Sequence, residues 1–168
     1  MMIKKSIQYK QWANTEIYEA VSRLDGKQYP EEKHLAIRLL NHIYVVDHIF
    51  QSHILGIAHG YDATNTVETP SLDNLRDNVT ALDQWFVSFC DTASQESMQR
   101  VIHFEFTDGA PGTMSVEEML NHLVLHGTYH RGAVGRILAT CSIQPPADVL
   151  SRHLHLAEPQ RRNERVIG

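Results

Sequence analysis

Cysteine is nearly missing from this chain of 168 residues, which holds only Cys90 and Cys141. Two thiols cannot build a disulfide scaffold, and their separation excludes a C-x-x-C redox pair. Both stand near the ends of apolar periodic stretches, where small buried thiols are common, and a reducing compartment suits them. Long hydrophobic runs are missing as well. No stretch approaches the ~18 apolar residues that span a bilayer, and "MMIKKSIQYKQWAN" has lysines without the apolar run of a secretory signal. The expectation is a cytoplasmic protein with no membrane partner. Positive charge is not in excess either: the formal net charge is -5 with neutral histidines, so no nucleic-acid partner is expected. The basic cluster "RRNER", Arg161 to Arg165, lies near the C-terminus and reads as solvated charge.

What is present is the composition of a globular domain, with 42% apolar and 21% charged residues, in a chain long enough to bury a core unaided. The oddity is histidine. Of the eleven, five fall between His34 and His59, three between His122 and His130, and two at His153 and His155, with His103 alone.

Apolar spacing is helical almost throughout. Ile7, Trp12, Ile17, Val21 and Leu24 mark a first helix closing at Asp25-Gly26. A second runs from Pro30, with Glu31 and Glu32 in its first turn, to Gly56. Its inner stripe reads Leu35, Leu39, His42, Val46, Ile49, His53. Leu72, Leu75, Val79, Leu82, Phe86 and Phe89 mark a third, capped by Ser71. A fourth opens at Ser115 with a capping box to Glu118 and carries Val116, Met119, Leu123, His126, His130, Val134, Ile137 until "QPP" at Gln144 to Pro146. Residues 59–70 read as a polar loop. "VIHFEFTDGAPGTM", around Asp108-Gly109, predicts a short extended segment or hairpin before the fourth long helix. Four long amphipathic helices predict an all-α four-helix bundle.

His126 and His130 occupy slots where the fourth stripe otherwise carries apolar side chains, and His42 does so on the second. Burying imidazoles without partners costs roughly 1–3 kcal/mol each; a shared metal removes that cost. Residues four apart stand one above the other, with Cβ atoms about 5–6 Å apart, within reach of metal–nitrogen bonds of about 2.0–2.1 Å. A third ring from a facing helix leaves open coordination, the pattern of catalytic sites. Chance surface histidines explain many H-x-x-x-H pairs, and a lone core histidine such as His42 is commonly satisfied by a carbonyl. His122 competes with His130 as the partner of His126 but lies about 40° off the stripe. His48 reads as surface or interhelix packing, His53 is too far along the helix, and His153 and His155 read as tail. Asp47 is rotated about 140° from His42. Trp12 reads as core or as a residue lining a pocket. Tyr129 and Arg131 flank His130 and read as packing or substrate-orienting groups. Other architectures are not there: one Glu-x-x-His is too few for a di-iron bundle, and H-E-x-x-H, a P-loop, G-x-S-x-G and G-x-G-x-x-G are absent.

"YKQWANTEIYEAV" (Tyr9 to Val21), "LLNHIYVVDHIFQSHILG" (Leu39 to Gly56) and "HLVLHGTYHRGAVGRIL" (His122 to Leu138), in this order, resemble the signature segments of the DinB/YfiT-like family. The resemblance covers Ile3 to Thr140 and implies an up-up-down-down bundle over residues 1–142. Residues 143–168 would then be a C-terminal extension, within the same domain or a loose tail. It also implies one divalent metal ion, nickel or zinc, on His42, His126 and His130, the set favoured by the stripes. It further implies a homodimer acting on a small-molecule substrate. Characterised members include thiol-dependent S-transferases and isomerases using bacillithiol, mycothiol or glutathione-like cofactors, and others are described as metal-dependent hydrolases. Two positions depart from the pattern: Ala133 stands where the family usually has Gln after "HRG", and "HLHLAEPQRRNERVIG" runs past the usual core. Three functions follow. A transferase would stabilise a low-molecular-weight thiolate on the metal. A hydrolase would activate metal-bound water. A non-catalytic module would use the ion only to hold two helices together.

Overall fold

The structure, a computed structural model, describes residues 2–163. Four long helices carry it: α1 (Met2–Ser22), α2 (Pro30–Leu55), α3 (Leu72–Thr92) and α5 (Val116–Thr140). Between α3 and α5 lie a short helix α4 (Gln95–Gln99) and an antiparallel hairpin of β1 (Val101–Glu105) and β2 (Pro111–Ser115). A short helix α6 (Leu150–Ala157) and a 3-10 turn (Pro159–Arg162) follow. This is the expected all-α bundle with a hairpin before its last long helix.

Local chemistry sets the helix ends. Pro30 opens α2, and Gly56 closes it with a left-handed φ of 70°. Ser71 accepts a hydrogen bond from the Asn74 amide at the start of α3. At α5 the Ser115 hydroxyl accepts from the Glu118 amide while the Glu118 carboxylate accepts from the Ser115 amide, completing the capping box. Two ends come early. α1 closes at Ser22, ahead of Asp25-Gly26, and α5 at Thr140, ahead of Gln144, where Ser142 turns the chain with φ 60°.

The core has two layers. One packs Ile3 and Ile7 of α1, Phe50 and Ile54 of α2, Phe86 and Cys90 of α3, and Val116 and Met119 of α5. The other packs Ile17 and Val21, Ala36 and Leu40, Leu75 and Val79, and Val134 and Leu138 from the same helices. Hence α1 and α5 run one way, and α2 and α3 the other. The order is up-down-down-up, not the up-up-down-down that the family resemblance implied. Its cause is in the connections. Residues 23–29 form a short turn that reverses the chain into α2. Residues 56–71 instead climb back along α2, where Arg38 Nη1 donates to the Thr66 carbonyl and Asn65 Nδ2 donates to the Arg38 carbonyl (3.0 Å).

The C-terminal segment packs on the bundle, with α6 against α1. Lys5 Nζ pairs with Glu158 at 2.8 Å and Arg161 with the same carboxylate at 2.9 Å. His153, read from sequence as tail, lies against Trp12 with ring centroids 5.5 Å apart. Trp12 itself is half-buried and lines a cavity of about 420 Å³ between α1 and α3. Within the basic cluster "RRNER", Glu164 and Arg165 fall outside the described residues.

Charges are buried at the centre. The fully buried Lys10 ammonium lies 2.7 Å from Asp83 Oδ1 and 2.6 Å from Asp47 Oδ2. Asn14 Nδ2 donates to Asp83 Oδ2 (2.7 Å), and Arg131 Nη1 donates to Asn14 Oδ1 (3.0 Å). Arg131 Nε donates to Asp148 Oδ2 (2.8 Å). One polar chain thus links all four long helices to the segment before α6. Burial lowers the Lys10 pKa, but the two carboxylates outweigh it and hold the ammonium charged. Burial raises Asp47, and with the like charge of Asp83 opposing Lys10 its pKa stands at about 6. Removing one member of such a set strands the others in a medium that cannot solvate them. Lys10→Ala is expected to lower unfolding free energy by about 3–5 kcal/mol in urea denaturation. A change within about 0.5 kcal/mol, typical of an unimportant surface site, would contradict this reading.

Candidate metal centre

α2 and α5 are neighbours in the bundle, and one face of each carries imidazole. On α2 the buried residues include Ala36, Leu40, Ile43, Asp47, Phe50 and Ile54. That row lies one residue round from the stripe read in the sequence, and Leu35 is 52% exposed. On α5 the buried row runs through Leu123, Gly127, Arg131, Val134 and Leu138. His42, His126 and His130 therefore sit at the margins of the core, each half-buried. The expectation that they replace core side chains is corrected: they line the seam where α2 meets α5, with solvent on one side.

The three rings come together as the sequence predicts. Each offers one nitrogen, and these atoms all lie within 4.8 Å of one another. His42 Nε2 faces His126 Nε2 at 3.0 Å. Ring centroids are 4.8 Å apart for His42–His126, 4.6 Å for His42–His130 and 4.5 Å for His126–His130. Two nitrogens on one tetrahedral ion, at bonds of ~2.0–2.1 Å, stand about 3.3 Å apart, so the spacing admits a cation with small adjustments. The donor chemistry fits too, because imidazole suits zinc, nickel, copper and iron.

His42 Nδ1 lies 2.7 Å from the Thr64 carbonyl. A carbonyl only accepts, so Nδ1 carries a proton, and in the neutral ring it is Nε2 that holds the lone pair toward His126. Desolvation, then the neighbouring charges of His42 and His130, lowers the His126 pKa to about 3, and desolvation with His42 lowers His130 as well. These two rings are therefore neutral at ordinary pH, with lone pairs free for a cation.

Gly127 makes room inside the seam. A Cβ there would lie 2.8 Å from Arg131 Nη1, so the glycine lets the guanidinium fold back to Asn14. Arg131, a candidate for orienting substrate, is fully buried and spent on Asn14, Thr128 and Asp148. Tyr129 is 77% exposed and lies edge-on to His130 with centroids 5.1 Å apart. His122 stacks on His126 at 5.4 Å but stays outside the group of three. His48 and His53 pack near Tyr61 and Phe104 respectively, away from the seam. Lys10, Asp83 and Asp148 carry no role in the sequence reading, and Asn14 enters it only within the Trp12-Ala13-Asn14 stretch of the family signature. A signal existed for two of them: Lys10 falls in the row Ile3, Ile7, Ile17, and Asp83 in the row Val79, Phe86, each a charge in an apolar slot.

An all-α bundle with three imidazoles converging across one helix pair defines a candidate metal-binding protein. The DinB family profile matches residues 1–163, and the chain belongs to that family. Most of the C-terminal segment expected to run past the family core thus falls within the match. The chain is similar to Protein DinB of Bacillus subtilis (strain 168), with 24% identity over 144 residues, covering 80% of this chain and 83% of that protein. No solved structure matches significantly.

The lowered histidines bear on stability. Desolvation depresses the pKa values of His48, His53, His122, His126, His130 and His153. Folded values lie below the unfolded value of about 6.5, so their contribution is complete above that pH and is lost as pH falls through the folded values. Asp47 works oppositely by one proton: its folded value of about 6 exceeds the unfolded one, so that term is lost as pH rises through 6. The histidines outnumber it. The melting temperature of the metal-free protein is expected to fall from pH 7.5 to pH 5; a flat or rising profile would refute the assignment.

Proposed function

We propose that this chain is a metal-dependent enzyme that holds one divalent ion, nickel or zinc, on His42, His126 and His130. Its proposed activity is that of a thiol-dependent S-transferase on a small molecule. The observation that carries the reading is the convergence of three half-exposed imidazoles within 4.8 Å at the α2–α5 seam. Three protein donors leave a four-coordinate ion at least one open position, as in catalytic rather than structural sites. An ion there supplies Lewis acidity, favouring the thiolate of a bound thiol or lowering the pKa of water.

The chain's own residues favour an external thiol. Cys90 and Cys141 are both buried, and desolvation pushes the Cys90 thiol up to about 11. Reactive thiolates need the opposite environment. A low-molecular-weight thiol as cofactor supplies what these two cannot. Hydrolysis is the alternative and wants a general base. Asp47, the carboxylate nearest His42 in sequence, turns into the core and is engaged by Lys10, so it does not serve. The third reading, a binding module closed by its ion, loses support from the half-exposed rings.

The remaining proposals concern partners and place. Leu125 (71% exposed) and Tyr129 lie one turn apart beside the histidines and provide apolar surface for a homodimer. The negative net charge gives no support to a nucleic-acid partner. Among the described residues no helix is long and apolar enough to cross a membrane, and two free cysteines suit the cytoplasm.

Elemental analysis of protein purified without chelators should find one nickel or zinc per chain, and His126→Ala should lose it. In the cobalt-substituted protein, adding bacillithiol, mycothiol or glutathione should produce a thiolate charge-transfer band. Metal binding without any thiol-dependent band would remove the transferase reading and leave the other two.

A further inference from the structure

The crossover from α2 to α3 is long and polar, and hydrogen bonds from α2 hold it level with the histidines. Asn41, the residue before His42, is fully buried, and its Nδ2 donates to Asn65 Oδ1 and to Thr66 Oγ1 (2.6 Å). Asn65 in turn donates through Nδ2 to the Arg38 carbonyl (3.0 Å), and Arg38 Nη1 donates to the Thr66 carbonyl. Thr64, next in the chain, thereby presents its carbonyl to His42 Nδ1 at 2.7 Å. A buried amide on one turn of α2 thus holds the loop that fixes the ring on that same turn.

We infer that Asn41 and Asn65 are positioning residues: they clamp the crossover loop so that the Thr64 carbonyl holds His42 as its Nδ1–H tautomer, with the Nε2 lone pair directed across the seam to α5. The inference rests on the metal reading for its consequence and on hydrogen bonding alone for its cause. An imidazole without such a partner rotates and shares its proton between nitrogens, and losing an orienting partner weakens metal binding by about 10–100-fold. The arrangement explains why an asparagine is buried at position 41, where an apolar residue would pack at lower cost. It also gives the loop a function that its polar composition does not advertise.

The test uses the full chain and two variants, Asn65→Ala and the milder Thr66→Ala, which removes one acceptor of Asn41 and the hydroxyl's own hydrogen bond to the Glu68 carbonyl. Imidazole ¹⁵N shifts in the metal-free protein should show His42 protonated at Nδ1 in wild type and shifted toward the Nε2–H form in Asn65→Ala. His126 and His130 shifts should move less. Zinc affinity by chelator competition should weaken at least tenfold in Asn65→Ala and by a smaller factor in Thr66→Ala, with helical circular dichroism unchanged. Unchanged His42 tautomer and zinc affinity within twofold in both variants would overturn the inference. A wild-type chain that takes up neither zinc nor nickel refutes the metal reading instead, and the tautomer shift then decides the inference alone. Should Asn65→Ala fail to fold, Thr66→Ala decides by the same two readouts.

Discussion

Lys10 lies between Asp83 and Asp47, fully shielded from solvent, and the register of the bundle is arranged around that fact. Each charge brought from water to such a place costs several kcal/mol, and mutual attraction offsets this only when the geometry is good. Sliding α2 or α3 by a turn along α1 would separate the ammonium from its carboxylates by about 5.4 Å. Apolar packing alone would resist such a slip less, because leucine and isoleucine fill neighbouring slots almost equally well. The extension of this chain through Asn14 and Arg131 to Asp148 brings α5 and the C-terminal segment under the same constraint.

That constraint reaches the histidines through covalent neighbours. Arg131 follows His130 on α5, and Asp47 is five residues beyond His42 on α2. Each helix has an ionic residue facing inward and imidazole on its flank, so register fixed by the first is register imposed on the second. The seam therefore needs no large internal cavity. Its rings converge because two helices are locked at one relative height, and the crossover loop supplies the carbonyl that orients His42.

Much of this was legible in the sequence, for physical reasons that differ by element. Ser71, Ser115 with Glu118, Pro30 and Gly56 act over one helical turn, and local chemistry is what a sequence displays directly. The trio His42, His126 and His130 was legible because spacing by four puts two rings on one face. What escaped was long-range. The α2 stripe was placed one residue off, through Leu35 and Leu39, because both margins of a wide apolar face look alike in one dimension. Helix directions depend on whether residues 56–71 bridge to the near or the far end of the bundle, which polar composition does not say. His153 and Asp148 took their meaning only from partners on α1 and α5, far away in the chain.

The most direct measurement is X-ray absorption on the metal-loaded protein, which reads the donors around the ion itself. Three imidazole nitrogens at about 2.0–2.1 Å, with one or more further light-atom scatterers from solvent, is the result this account expects. A shell with fewer than three imidazoles, or one completed by protein sulfur, would contradict the claim that α2 and α5 present His42, His126 and His130 to a common ion.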